Sequence, residues 1–135
     1  MAEKAFSLEI VSPRKVIFAG EVTSFSAPGV SGGFQVLFNH APLLAAIGVG
    51  VMKIRDTQGQ ESKYTTAGGF VDVLKNKVTM LAESAEKPAE IDVARAEKAR
   101  DRALKRLSDR DPDLDVDRAQ AALARALNRL NATQK

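Results

Sequence analysis

The chain has 135 residues, 44% hydrophobic, 27% charged and 5% aromatic, with a formal net charge of +3. That length holds one or two small domains, and the hydrophobic share excludes a wholly disordered chain. The absence of Cys excludes disulfide staples, thiolate metal sites and thiol catalysis together.

The first predicted element is a half-buried strand, because Phe6, Leu8 and Ile10 alternate with Ser7, Glu9 and Val11. Ser12-Pro13 ends it. Val16–Phe18 and Val22–Ala27 read as two further short strands, separated at Gly20 and closed by Pro28-Gly29. Gln35–Phe38 is a fourth. The apolar stretch 41–52 is too short to span a bilayer and is interrupted by Pro42, Gly48 and Gly50. Val49–Arg55 runs into the turn Asp56-Thr57-Gln58-Gly59, with an extended segment on either side. Phe70–Leu74 and Val78–Leu81 flank Lys75-Asn76-Lys77, a hairpin in which Asn76 suits a positive-φ position. Short strands with Gly and Pro between them predict a compact sandwich or barrel.

All 9 Gly and every Phe and Tyr lie at or before Phe70. Residues 1–86 carry 8 basic and 8 acidic side chains, whereas residues 87–135 carry 12 and 9. The chain therefore divides at about Pro88 into a β domain, 1–87, and a helical domain, 88–135. Asp92–Leu107 contains no helix breaker and places Val93, Ala96, Ala99, Ala103, Leu104 and Leu107 in one stripe. Residues 108–115 are polar and contain Pro112. Asp113 or Asp115 can cap a second helix, whose stripe is Val116, Ala119, Leu123, Ala126, Leu127 and Leu130. Two helices of about four turns on a short connection predict an antiparallel hairpin. Its mostly Ala interface, at about 25 cal/mol per Å², contributes little burial. The start of the chain lacks the apolar run of a signal peptide, so the expectation is a soluble protein of the intracellular side.

Catalysis is not expected. There is no phosphate-loop motif, and Gly48 and Gly50 lack a third glycine and a strand–helix unit around them. One His, His40, does not make a metal cluster. One polar pattern stands out. At about 100° per residue, Arg118, Arg125 and Arg129 fall in one narrow stripe, and Arg95 and Arg102 nearly eclipse. In a hairpin centred near residues 110–111, Arg95 lies level with Leu127, between Arg125 and Arg129. Such like charges call for an anionic ligand or an acidic partner surface. The alternative is a solvated face relieved by local carboxylates such as Asp92 and Asp101, and the pattern alone favours it. Nucleic acid is not an expected partner, because the tail interleaves Asp and Glu with its basic residues and has no aromatic to stack on bases.

Three stretches then bring a family into view. They are Asn39-His40-Ala41-Pro42-Leu43-Leu44 followed by Gly50–Ile54, Gly68-Gly69-Phe70-Val71-Asp72-Val73 running on to Ala82, and Ile91-Asp92-Val93-Ala94-Arg95-Ala96 with Ala-Leu-Asn-Arg-Leu at 126–130. In this order the chain resembles, over essentially its full length, the epsilon subunit of F-type ATP synthases. The resemblance implies a β-sandwich of about ten short strands followed by a two-helix hairpin. It implies a non-catalytic part of the rotating central stalk, peripheral on the cytoplasmic face of the membrane, with no direct membrane insertion. The implied partners are the gamma subunit, the ring of c subunits, and the catalytic alpha and beta subunits. In the family the hairpin folds down or extends, and when extended it blocks ATP hydrolysis.

The family motif Ile/Leu-Asp-x-x-Arg-Ala stands here as Ile91, Asp92, Arg95 and Ala96, and Glu86, Arg102, Arg125 and Arg129 match its accessory positions. The resemblance implies ATP as a regulatory ligand. Arg95, Arg102, Arg125 and Arg129 would take the phosphates, and Glu86, Ile91, Asp92 and Ala96 would frame base and ribose. No cofactor is required and no metal site is implied. The alternative is the same stalk subunit without a nucleotide site, its arginines serving only the inhibitory contact. Gly29, Val30, Ser31, Gly32, Gly33 and His40 are implied as contacts to the ring and gamma. Gly33 stands where the family usually has Glu, removing a carboxylate, and Asn39 stands where it has Gly.

Overall fold

The computed structural model describes residues 4–109 and 111–133; Arg110, in the predicted connection between the helices, lies outside them. Met1–Lys87 and Pro88–Lys135 form two compact units.

The first unit contains nine strands among its described residues. They are β1 (Phe6–Val11), β2 (Val16–Gly29), β3 (Gly32–Val36), β4 (Leu43–Ile47), β5 (Gly50–Asp56), β6 (Glu61–Thr66), β7 (Gly69–Leu74), β8 (Lys77–Ala82) and β9 (Ala85–Glu86). The two strands predicted over Val16–Phe18 and Val22–Ala27 are corrected to one, β2. Its first half pairs with β1, from Val11↔Val16 to Phe6↔Val22. Its second half pairs with β3, as at Phe25↔Val36, and with β5, as at Phe25↔Ile54. The register shifts between Val22 and Ser24, a local irregularity that turns the strand from one layer into the other. Both halves have partners, so Gly20 interrupts nothing. Around it, β1, β8, β7, β4 and β2 form a closed circuit, with β1 and β8 parallel. On the other side of β2 the order runs through β5 and β6 to β9.

The predicted strand Gln35–Phe38 shifts to β3, which pairs back along β2 from the Gly29↔Gly32 tip and is spent at Val36. Strands β4 and β9 were not anticipated. The core lies between the layers, where Phe6, Leu8, Phe25, Met52, Val71 and Met80 are all but inaccessible. Alternation holds best on β1, as the sequence suggested. The β7–β8 turn is a two-residue loop, Lys75 (φ 50°) and Asn76 (φ 61°), flanked by the pair Leu74↔Lys77. Both positive φ values belong to the type I′ hairpin, whose twist matches that of the strands.

Gly69 starts β7 at φ 149°, and a Cβ there would run into the Leu81 carbonyl oxygen on the paired strand. We expect Gly69→Ala to destabilise the protein by about 3 kcal/mol or more, because backbone cannot yield as a side chain does. A chemical denaturation curve with its midpoint little changed would contradict this.

The second unit opens with a 3-10 turn, Pro88–Glu90, which lies against the second helix, followed by α1 (Val93–Asp109) and α2 (Val116–Thr133). Asp92 caps α1: its Oδ1 accepts the Arg95 backbone N–H at 3.1 Å. Asp115, rather than Asp113, caps α2 by accepting the Arg118 N–H at 3.0 Å. Each bond satisfies one donor of a helix start that has no partner within the helix. Asp111 forms the connecting turn, accepting the Asp113 N–H on Oδ1 at 2.9 Å and the Leu114 N–H on its carbonyl at 2.9 Å.

The predicted stripes are corrected in width. Ala96 and Ala103 are buried on α1, and Ala119, Ala126 and Leu130 on α2. Val93, Leu104, Val116 and Leu127 are exposed. Alanine fills four of these five buried positions, and Leu130 is the one large side chain among them.

Candidate functional site: a two-faced hairpin and a two-ended sandwich

At about 100° per residue, both helices have the same plan around their buried seams. Arg95, Arg102 and Arg106 lie about 80–120° to one side of the Ala96–Ala103 seam, and Val93 and Leu104 about 60–80° to the other. On α2, Arg118, Arg125 and Arg129 lie to the first side of Ala119–Ala126, and Val116 and Leu127 to the second. In an antiparallel pair, a displacement of the same rotational sense on both helices falls on the same face of the pair. The hairpin therefore carries six arginines on one face and an apolar set on the opposite face.

Arg95, Arg125 and Arg129 share the end remote from the connection. Arg106 and Arg118 share the other end, where they line one hollow of about 330 Å³ with Asp113, Leu114 and Asp115. Sequence reasoning placed Arg118 in the stripe with Arg125 and Arg129 but gave Arg106 no role; the offset of Arg106 from the alanine seam was the available signal. The two carboxylates considered as local relief are engaged elsewhere. Asp101 Oδ1 pairs with Arg100 Nε at 3.0 Å, and Asp92 Oδ1 is taken by the cap. The stripe carries planar, multi-donor groups of the kind that suit phosphate and carboxylate, and at the connection end Asp113 and Asp115 lie beside Arg106 and Arg118.

The other predicted nucleotide residues are placed differently from one another. Ile91 is buried at the foot of α1, its N–H donating to the Pro88 carbonyl at 3.2 Å. Ala96 is buried in the helix seam, where its small size admits the neighbouring helix. Glu86 belongs to the first unit: on β9 it pairs with Thr65, whose hydroxyl donates to the Glu86 carbonyl at 3.3 Å.

The six residues grouped as ring and gamma contacts do not form one patch. Gly29–Gly33 make the β2–β3 tip, from which Val30 projects with 68% of its surface exposed. There Val30 N–H donates to the Ala46 carbonyl and Gly48 N–H to the Pro28 carbonyl. His40 stands in the loop after β3, near the β7–β8 turn, at the far end of β3 and β4. With five residues in β4, at about 3.3 Å each, roughly 16 Å separates the two ends.

A third surface was missed. Ala46, Phe70 and Leu81 are cross-strand neighbours on β4, β7 and β8, and Leu81 continues to Val11 and Val16. Phe70, Leu81 and Val16 are each 57% exposed, and Leu44, on the same face, 75%. A contiguous exposed apolar row of this kind is a candidate docking surface. Phe70–Leu74 is nearly all apolar, so period-two alternation did not reveal its outward residues.

Among the described residues no group of His, Asp or Glu is arranged to hold a metal, and no helix is long and apolar enough to cross a membrane.

Known proteins supply a comparison. Residues 5–88 match the family model for the ATP synthase delta/epsilon chain, beta-sandwich domain, and residues 89–134 that for its long alpha-helix domain. The ATP synthase epsilon chain of Pelotomaculum thermopropionicum is 49% identical over 108 residues, covering 80% of this chain and 80% of its own. That of Syntrophomonas wolfei is 42% identical over 110 residues, covering 82% and 80%. Among solved structures, a chain of the Euglena gracilis mitochondrial ATP synthase superposes with a TM-score of 0.85 at 20% identity, covering 99% of this chain and 83% of its own. A chain of the Tetrahymena thermophila mitochondrial ATP synthase gives 0.71 at 16% identity, with 99% and 100% covered. At that identity the two structures speak for the fold.

Proposed function

The chain belongs to the ATP synthase delta/epsilon family, and on that premise we propose that it is the epsilon subunit of a rotary ATP synthase, a non-catalytic part of the central stalk. The sandwich is the docking block. Its exposed apolar row and its two ends, at Val30 and at His40, offer three surfaces to the gamma subunit and the ring of c subunits. In this reading the protein is peripheral on the cytoplasmic face of the membrane, held there through the complex.

The hairpin is the regulatory element. Its arginine face meets acidic segments of the alpha and beta subunits when the helices extend, and this stops ATP hydrolysis. ATP, bound by the same face when the helices are folded, holds them back. Arg95, Arg102, Arg125 and Arg129 contact the phosphates, with the foot of α1 at Ile91 and Asp92 beside them. The observation that carries the regulatory reading is the segregation of arginines and apolar side chains onto opposite faces. Two ligands that compete for one face convert a small packing difference into a switch.

A second reading, inhibition without nucleotide sensing, is favoured by the length of the stripe. Arg95 to Arg106 spans about 16 Å at 1.5 Å per residue, more than one triphosphate occupies.

The deciding experiment compares ATP hydrolysis by the complex assembled with the full chain and with a chain ended after Lys87. The sandwich has its own core, so assembly should persist, and hydrolysis should rise several-fold. Unchanged hydrolysis would refute inhibition by the hairpin.

A further inference from the structure

Asn39 and Asn76 are 37 residues apart and meet by a reciprocal pair of hydrogen bonds. The Asn39 backbone N–H donates to Asn76 Oδ1 at 2.6 Å, and Asn76 Nδ2 donates to Asn39 Oδ1 at 2.9 Å. Both residues have positive φ, 64° and 61°, a region that Asn tolerates better than most side chains. Asn76 also accepts the Ser7 N–H on its carbonyl at 3.0 Å. One residue therefore ties together three segments: its side chain joins the β3–β4 loop to the β7–β8 turn, and its backbone carbonyl holds the start of β1.

The residue after Asn39 is His40, whose N–H donates to the Leu37 carbonyl at 3.2 Å. Its ring Nδ1 lies 2.7 Å from the Ala41 carbonyl, which only accepts, so Nδ1 is the donor of that bond. Leu37 and Leu74, next to the joined loop and turn, are 51% and 49% exposed. Exposed leucines beside a polar ring on loops are an expensive surface to order at the moment of binding, and a pre-formed loop lowers that cost.

We propose that Asn39 and Asn76 are positioning residues: they form a clasp that holds the His40 turn and its flanking leucines in a docking-ready arrangement for a protein partner. This rests on the stalk reading, which names gamma as the partner to be used as probe. Gly before His at this point, as in the family pattern, meets the backbone requirement but supplies no side chain for a clasp; Asn meets both.

The test is made on the full chain. Asn76→Gly keeps a residue at ease with positive φ and keeps the carbonyl for Ser7, but removes both clasp bonds. Asn39→Gly removes only the bond that its side chain accepts. Asn76→Asp keeps an oxygen for the Asn39 N–H and serves as the conservative rescue. Amide hydrogen exchange at Asn39 should accelerate at least tenfold in Asn76→Gly and return most of the way in Asn76→Asp, while core amides at Val71 and Met80 stay as slow as in the parent. Binding to isolated gamma should weaken about three- to tenfold in Asn76→Gly, with no further loss when Asn39→Gly is added.

Unaltered exchange at Asn39 in Asn76→Gly would overturn the clasp. Faster exchange with undiminished gamma binding would overturn its positioning role. A parent chain that does not bind gamma would overturn the stalk reading and with it the docking role, whereas the exchange rates would still decide whether the clasp exists.

Discussion

A chain carrying Phe70→Asp and Leu81→Asp will fold and will fail to join the central stalk. The two side chains are cross-strand partners on β7 and β8, and both point away from the core formed by Val71, Val73, Val78 and Met80. Removing them leaves no cavity, so the denaturation midpoint should move little. Docking is another matter. Burying one large apolar side chain contributes about 1.5–3 kcal/mol. Losing two costs roughly a hundredfold in affinity or more, and the new carboxylates must also be desolvated beside each other. Co-purification with gamma, or the share of chain retained on the assembled complex, measures it. Assembly at parental affinity would remove the row from the docking surface.

Arg95→Ala and Arg125→Ala should each weaken ATP binding at least tenfold, about 1.4 kcal/mol, in calorimetric titration of the isolated protein. The two residues come from different helices but share one face and one end of the hairpin. Both are exposed, and neither is a cap or a seam residue, so helix content should be unchanged. Charge-assisted hydrogen bonds to phosphate are among the stronger polar contacts, and several converging on one ligand raise the cost of losing any one. Arg100→Ala is the control: Arg100 lies outside the stripe and is paired with Asp101. An equal loss in the control would mean that overall charge matters rather than the stripe. No binding by the parent at millimolar ATP would leave the purely inhibitory reading.

Much of this design was visible in the residues. β1 announced itself by strict alternation, the β7–β8 turn by Asn76, and the helices by capping acids and alanine periodicity. What escaped did so for identifiable reasons. β4 lies inside an apolar stretch with no period to read, because Leu44 on its outer face is as apolar as Ile47 on its inner one. β2 looked like two strands because Gly20 normally punctuates, and only its two sets of partners keep it whole. The helical stripes were drawn too wide, since position alone does not say which of Ala103 and Leu104 enters the seam. His40 was grouped with Gly29–Gly33 through the family resemblance, whereas an intervening strand, β3, carries it to the opposite end. Conversely, the eclipsing of Arg118, Arg125 and Arg129 was legible. The consequence that Arg106 completes a shared face needed the buried alanines to orient both helices.

The closed circuit of β1, β8, β7, β4 and β2 has a mechanical meaning. A sheet with two free edges yields to a pull at an edge by breaking its ladder bonds one after another. Within this circuit each strand has a neighbour on both sides, β4 meeting β2 at the single pair Gly29↔Ile47, so a twisting load at the Val30 tip passes into more than one strand pairing at once. β2, which continues into the second layer, spreads the same load across the sandwich. A block built this way turns as one body when it is gripped at one end and resisted at the other.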